Sequence, residues 1–134
     1  MLGRLLMKGR FQFPKSTDRC ILNPAHDHDR IVFRSRLYHR LISDKLRQNS
    51  DLFLVARNNL RRWMNAEIAR NGFPSHAYRE WADIFRKKTH EEILEILTSD
   101  TYDADRLRSS TPFCGILTEG ERLAILESHG SLAA

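Results

Sequence analysis

Arg57, Arg61 and Arg62 are the grouping whose residue type and spacing best suit a defined chemistry. Positions 57 and 61 lie one helical turn apart and share a face. The planar guanidinium fork of each suits capture of a phosphate or a carboxylate. The competing reading is a solvated helix face, or arginines paired with acidic residues of the same domain. A second grouping, Ser109-Ser110-Thr111 near Cys114, offers hydroxyl and thiol nucleophiles. Small hydroxyls beside a proline more often satisfy backbone groups in a turn. Cys114, between Phe113 and Gly115, reads as an inert buried thiol. A third grouping, His26-Asp27-His28-Asp29, has the residue types of a metal site. Side chains two apart converge only in an extended segment, and no third ligand lies nearby. A solvated polar turn accounts for it better.

The common catalytic signatures are missing: the sequence holds no Gly-rich phosphate loop, no HExxH and no GxSxG. Its six histidines are scattered, and none sits at a spacing that sets a base beside a nucleophile. The sequence therefore argues against an enzyme, with no catalytic residue, cofactor or metal site to name. Cys20 and Cys114 have no CxxC neighbour, which predicts free thiols in a reducing cytoplasm. No apolar run reaches the ~18 residues of a membrane span. The apolar core of the first eight residues is too short for a signal peptide.

The net charge of +5 conceals a gradient. Residues 1–50 carry 11 Lys/Arg against 4 Asp/Glu, a balance of +7. Residues 51–89 stand at +4, and residues 90–134, with 3 against 9, at −6. Such asymmetry fits either an oriented field that steers a partner or polyanion, or an ordinary solvated surface.

The elements that must carry these residues are helical. At 134 residues the chain fits one domain with a real core. Residues 1–34 show no sustained period and contain Pro14 and Pro24; Phe11-Gln-Phe13 and Ile31-Val-Phe33 are the only short strand candidates. They read as a poorly ordered N-terminal extension. From Ser35, an apolar stripe of Leu37, Tyr38, Leu41, Ile42 and Leu46 predicts a first helix. Asn49-Ser50-Asp51 ends it and caps a second, striped by Leu52, Val55, Ala56, Leu60 and Trp63. Asn71-Gly72-Phe73-Pro74 is a stop: Gly72 as the left-handed residue, Phe73 folding back, Pro74 forbidding continuation. Ser75 caps a third helix with Tyr78, Trp81, Ala82 and Phe85 inward. Thr89 and Glu92 form a capping box for a fourth, with Ile93, Leu94, Ile96 and Leu97. Tyr102, Ala104 and Leu107 mark a short fifth. A second capping box, Thr118 with Glu121, opens a sixth with Leu123, Ile125 and Leu126, ending at His129-Gly130. Trp63 and Trp81 both read as core anchors. The expected fold is all-α, one small bundle of about six short helices over residues 35–130, with 131–134 as a tail.

The stretch from Leu107 to Leu126 organises this bundle. Pro112 ends the fifth helix and Gly115 turns the chain again, aiming Phe113, Ile116 and Leu117 at the helices before them. The expectation is a rigid, buried loop. The alternative is an exposed Phe113 that anchors a partner.

The run from Tyr38-His39-Arg40-Leu41-Ile42-Ser43 to Leu126 resembles a family of short bacterial all-helical proteins of unknown function. The likeness lies in Leu107-Arg108-Ser109-Ser110-Thr111-Pro112-Phe113, Gly115-Ile116-Leu117-Thr118 and Glu121-Arg122, with Arg79-Glu80-Trp81 upstream. Glu119 and Cys114 stand where the family pattern has Pro and Ala. The resemblance covers about two thirds of the chain, and implies that residues 1–37 are an extension or follow a misplaced start. It also implies a place in toxin–antitoxin-like gene pairs, and it transfers no catalytic residue. The function expected is that of an antitoxin-like cytoplasmic binding protein, its protein partner encoded nearby. The alternative is weak nucleic-acid binding through Arg57, Arg61 and Arg62, without a convincing helix-turn-helix.

Overall fold

The computed structural model describes residues 24–133, with side chains over residues 28–128. The chain divides between Ile31 and Val32, and the core and the candidate site lie within the second unit, from Val32 onward. The candidates Phe11-Gln-Phe13 and Cys20, like the side chains of His26 and Asp27, lie outside the described residues. Among the described residues there are six α-helices, one 3-10 turn and no strand. They are α1 (Pro24–Gln48), α2 (Phe53–Asn71), α3 (His76–Lys87), α4 (His90–Thr98), α5 (Tyr102–Arg108) and α6 (Glu119–Ala133).

The first helix starts at Pro24 rather than Ser35. Proline suits a first helical position because its φ is already set and its missing N–H has no intrahelical partner there. No breaker follows before Gln48, so residues 26–29 and 31–33 are helical, neither a polar turn nor a strand. Asn49 then caps a single 3-10 turn, Ser50–Leu52, its side chain accepting from the Asp51 amide at 3.1 Å. Downstream boundaries follow their local caps. Gly72 ends α2 at φ 88°, Ser75 caps α3, and Thr89 and Glu92 close a reciprocal box on α4. Thr118 and Glu121 do the same at α6, at 2.8 and 3.1 Å. Gly130 does not stop α6, which runs on to Ala133; a lone glycine costs about 1 kcal/mol in a helix but does not terminate it.

The core collects Ile42 and Leu46 from α1, Phe53, Ala56 and Leu60 from α2, and Trp81, Ile84 and Phe85 from α3. Ile93, Leu94 and Leu97 of α4 and Leu107 of α5 complete its helical part. Phe113, only 1% exposed, plugs the centre. Its ring meets Phe53 and Trp81 edge-on, with centroids 6.1 and 5.8 Å away, and Phe85 at 5.9 Å. Trp81 is fully buried and donates from Nε1 to the Leu107 carbonyl at 3.0 Å. Trp63 is not its equivalent: half-buried, it leans on Tyr78 at the margin. Phe73 does not fold back and Tyr102 does not enter the core; both are exposed. The last helix contributes no buried residue over its described side chains, and Leu123 is exposed.

Candidate partner-binding face

The loop between α5 and α6 is tied down through its backbone. Asn59, buried on α2, donates from Nδ2 to the carbonyls of Pro112 and Cys114 at 2.9 and 2.8 Å. Lys45 donates to the Ile116 carbonyl and to Glu121, both at 2.8 Å. The three hydroxyls of Ser109, Ser110 and Thr111 serve the same end. Ser109 and Ser110 donate to the carbonyls of Arg106 and Leu107, and Thr111 Oγ1 accepts from the Phe113 amide. Gly115, at φ 88°, supplies the left-handed turn. The hydroxyls are turn-formers, and Phe113 is a core residue that no partner can reach. Cys114 is exposed rather than buried. Its surroundings still withhold enough water from the thiol to raise its pKa, which works against a thiolate.

Asp105 and Arg108 form a polar cluster that the sequence did not announce. Arg108 is almost wholly buried, donating to Asp105 and, at 2.7 Å, to the Ile96 carbonyl. Asp105 also accepts two bonds from Arg36, at 3.0 and 2.7 Å, and these hold its carboxyl below the usual range. Nearby on α1, His39 is buried and its Nδ1 donates to the Ser35 carbonyl at 2.7 Å. Burial pushes its pKa down to about 4, with the Arg108 charge adding to the effect. A neutral imidazole and an enclosed ion pair here lock elements together; the Ser35 hydroxyl lies 3.3 Å from His39 Nδ1, the nitrogen already committed to the Ser35 carbonyl.

Part of the charge gradient is consumed inside the fold. Arg36 meets Asp105 at 2.7 Å, Arg40 meets Asp100 at 3.1 Å, Lys45 meets Glu121 and Arg47 meets Glu91. The basic first helix is thereby stapled to the acidic back half. On α2, Arg57, Arg61 and Arg62 meet no carboxylate among the described residues.

These three do not act together. Arg62 turns to Asn59, donating to its Oδ1 at 2.9 Å and so buttressing the loop clamp. Arg57 lies over the Phe85 ring, 4.8 Å from its centroid, and donates to the Phe85 carbonyl. Arg61 is exposed and unbonded among the described residues. Arg57 and Arg61 flank a groove of about 330 Å³ between α2 and α3, floored by Leu60, Met64, Ile68, Ala82 and Phe85. A second depression of about 450 Å³ shares Met64 and Ala82 and continues past His76, Arg79 and Arg86. The spacing of Arg57 and Arg61 showed in the sequence, but the apolar floor did not. Its one signal was Ile68, off the inward stripe and 46% exposed; Leu54, 57% exposed on the same helix, lies outside the groove's lining.

No group of three or more His, Cys, Asp or Glu able to hold a metal occurs among the described residues. No helix among them is long and apolar enough to cross a membrane. Comparison of the chain with family models, with curated proteins and with solved structures returns no match.

Proposed function

We propose that this chain is a non-catalytic binding protein that engages a protein partner through the α2–α3 face, in the antitoxin-like manner that the resemblance implies. One observation carries the reading. Arg36, Arg40 and Arg47 of α1 find carboxylates within the fold, while Arg57 and Arg61 of α2 find none among the described residues and share a helix face with exposed Leu54 and Ile68. Exposed apolar residues interleaved with unpaired guanidinium groups match the composition that protein interfaces favour, where Arg is enriched and apolar anchors supply the energy. A phosphate-binding face has little use for Leu54 and Ile68, because phosphate contacts are electrostatic.

Co-expression with the product of the adjacent reading frame, followed by size exclusion, tests the proposal. A complex that survives with the unaltered chain and dissociates with Arg57→Glu/Arg61→Glu supports it. Nanomolar, sequence-selective binding to duplex DNA at physiological salt, lost in the same variant, refutes it in favour of a nucleic-acid regulator.

A further inference from the structure

Taking the α2–α3 face as the binding face, we infer that its occupant is an acidic amphipathic helix of the partner, laid along the groove with its leucines on the floor and its carboxylates on Arg57 and Arg61. This inference rests on the reading above and specifies the chemistry of the partner.

The shape of the groove comes first. It runs between two helices, and from Arg57 to Ile68 it follows α2 for eleven residues, about 16 Å at 1.5 Å per residue. Peptides are taken either by adding a strand to a sheet edge or by laying an apolar helix face into a groove. No strand exists among the described residues, so an edge is not on offer. Three turns of helical groove match three turns of helix.

Charge decides the sign. The carboxylates that border this face are already engaged: Glu67 accepts from the Ser75 amide at 2.6 Å, Glu80 holds Arg106 at 2.9 Å, and Asp83 holds Arg86 at 2.7 Å. Arg57 spends one weak bond on the Phe85 carbonyl, and Arg61 spends none. A guanidinium carries five N–H donors in a fixed fork. Two such forks one turn apart meet two carboxylates at i and i+4 on an opposing helix. The floor decides the remainder. Phe85 is buried beneath Arg57 and packed on Trp81 and Phe113, so the part of the floor open to an incoming leucine is flexible Met64 and exposed Ile68. Leucines at i, i+3 and i+7 of the incoming helix, flanked by glutamates, satisfy both requirements at once.

Fluorescence anisotropy of the full chain with labelled 18-residue peptides tests the inference. One peptide carries leucines at that spacing flanked by glutamates, a second replaces every glutamate by lysine, and a third replaces every leucine by serine. The glutamate–leucine peptide is expected to bind at least tenfold more tightly than either of the others, and to weaken as salt is raised. Arg57→Glu/Arg61→Glu is expected to cost at least tenfold against it and to gain affinity for the lysine peptide. Equal binding of all three peptides, or indifference to the double variant, overturns the inference. So does concentration-dependent self-association in sedimentation, or duplex DNA binding, that the double variant abolishes; either gives the face another occupant. If the peptides fail while the co-expressed partner is still lost on Arg57→Glu/Arg61→Glu, the face stands and only the acidic-helix chemistry falls.

Discussion

Lowering the pH should unlock the fold at His39 before it disturbs most carboxylates. In the native chain this imidazole takes a proton only near pH 4, because burial and the Arg108 charge oppose it. In the unfolded chain it takes one near the ordinary value of 6.5. The neutral form is the native form, so its contribution is complete above pH 6.5 and is lost as the pH falls from 6.5 toward 4. The full span is worth roughly 3 kcal/mol, and the step from pH 7 to pH 5 about 2 kcal/mol. The lowered carboxyls of Glu80, Glu92, Asp105 and Glu121 also favour the fold, but their loss is concentrated below about pH 4.5, near the values those groups take when unfolded. Urea denaturation at pH 7, 6 and 5 measures the step. His39→Asn, which keeps an amide donor for the Ser35 carbonyl and removes the titration, should flatten most of it. An unaltered chain that is equally stable at pH 7 and pH 5, or a variant that loses as much as its parent, would refute the reasoning.

Phe113→Ala should cost roughly 3–5 kcal/mol, since the ring is enclosed by Phe53, Trp81 and Phe85; thermal melting should show a transition displaced by well over ten degrees or lost. Asp105→Asn should cost about 3–5 kcal/mol by leaving Arg108 buried without its countercharge, as read by urea denaturation. Arg61→Glu should change stability by no more than about 0.5 kcal/mol, because the side chain is exposed and unbonded. A large loss there would make Arg61 part of the scaffold and not of a binding face.

What the sequence made legible was whatever is decided within a few residues. The Thr89–Glu92 and Thr118–Glu121 boxes, the Ser75 cap and the Gly72 stop depend on hydrogen bonds three or four residues long, and their residue types announce them. The all-α class followed from the same punctuation. Tertiary decisions stayed hidden. Asn59 was an ordinary helix residue until a loop 53 positions away brought its carbonyls to it. Arg108 was one more basic residue until α5 packed it against Asp105 and the Ile96 carbonyl. Tyr102 and Leu123 followed the apolar period of their helices, yet no neighbour arrived to cover them. At the candidate face, the turn-spaced pair Arg57 and Arg61 was readable. The departure of Arg62 to Asn59, and the arrival of Phe85 beneath Arg57, required the fold.

The thin attachment of α6 gives the molecule two layers of durability. Its first turn is fastened by Lys45 to Glu121, and Arg122 lies over the Tyr38 ring at 5.7 Å. Beyond that turn Ile125 and Leu126 are only half-covered. Over its described side chains, detaching this helix costs one partly exposed ion pair, the Arg122–Tyr38 contact and a modest apolar contact, less than breaching the core around Phe113. Amide hydrogens of α6 should therefore exchange through local opening, orders of magnitude sooner than those of α3 and α4. The carbonyl clamp of Asn59 holds Pro112 and Cys114 whether or not α6 is seated, so the helix can lift while the loop beneath it stays closed.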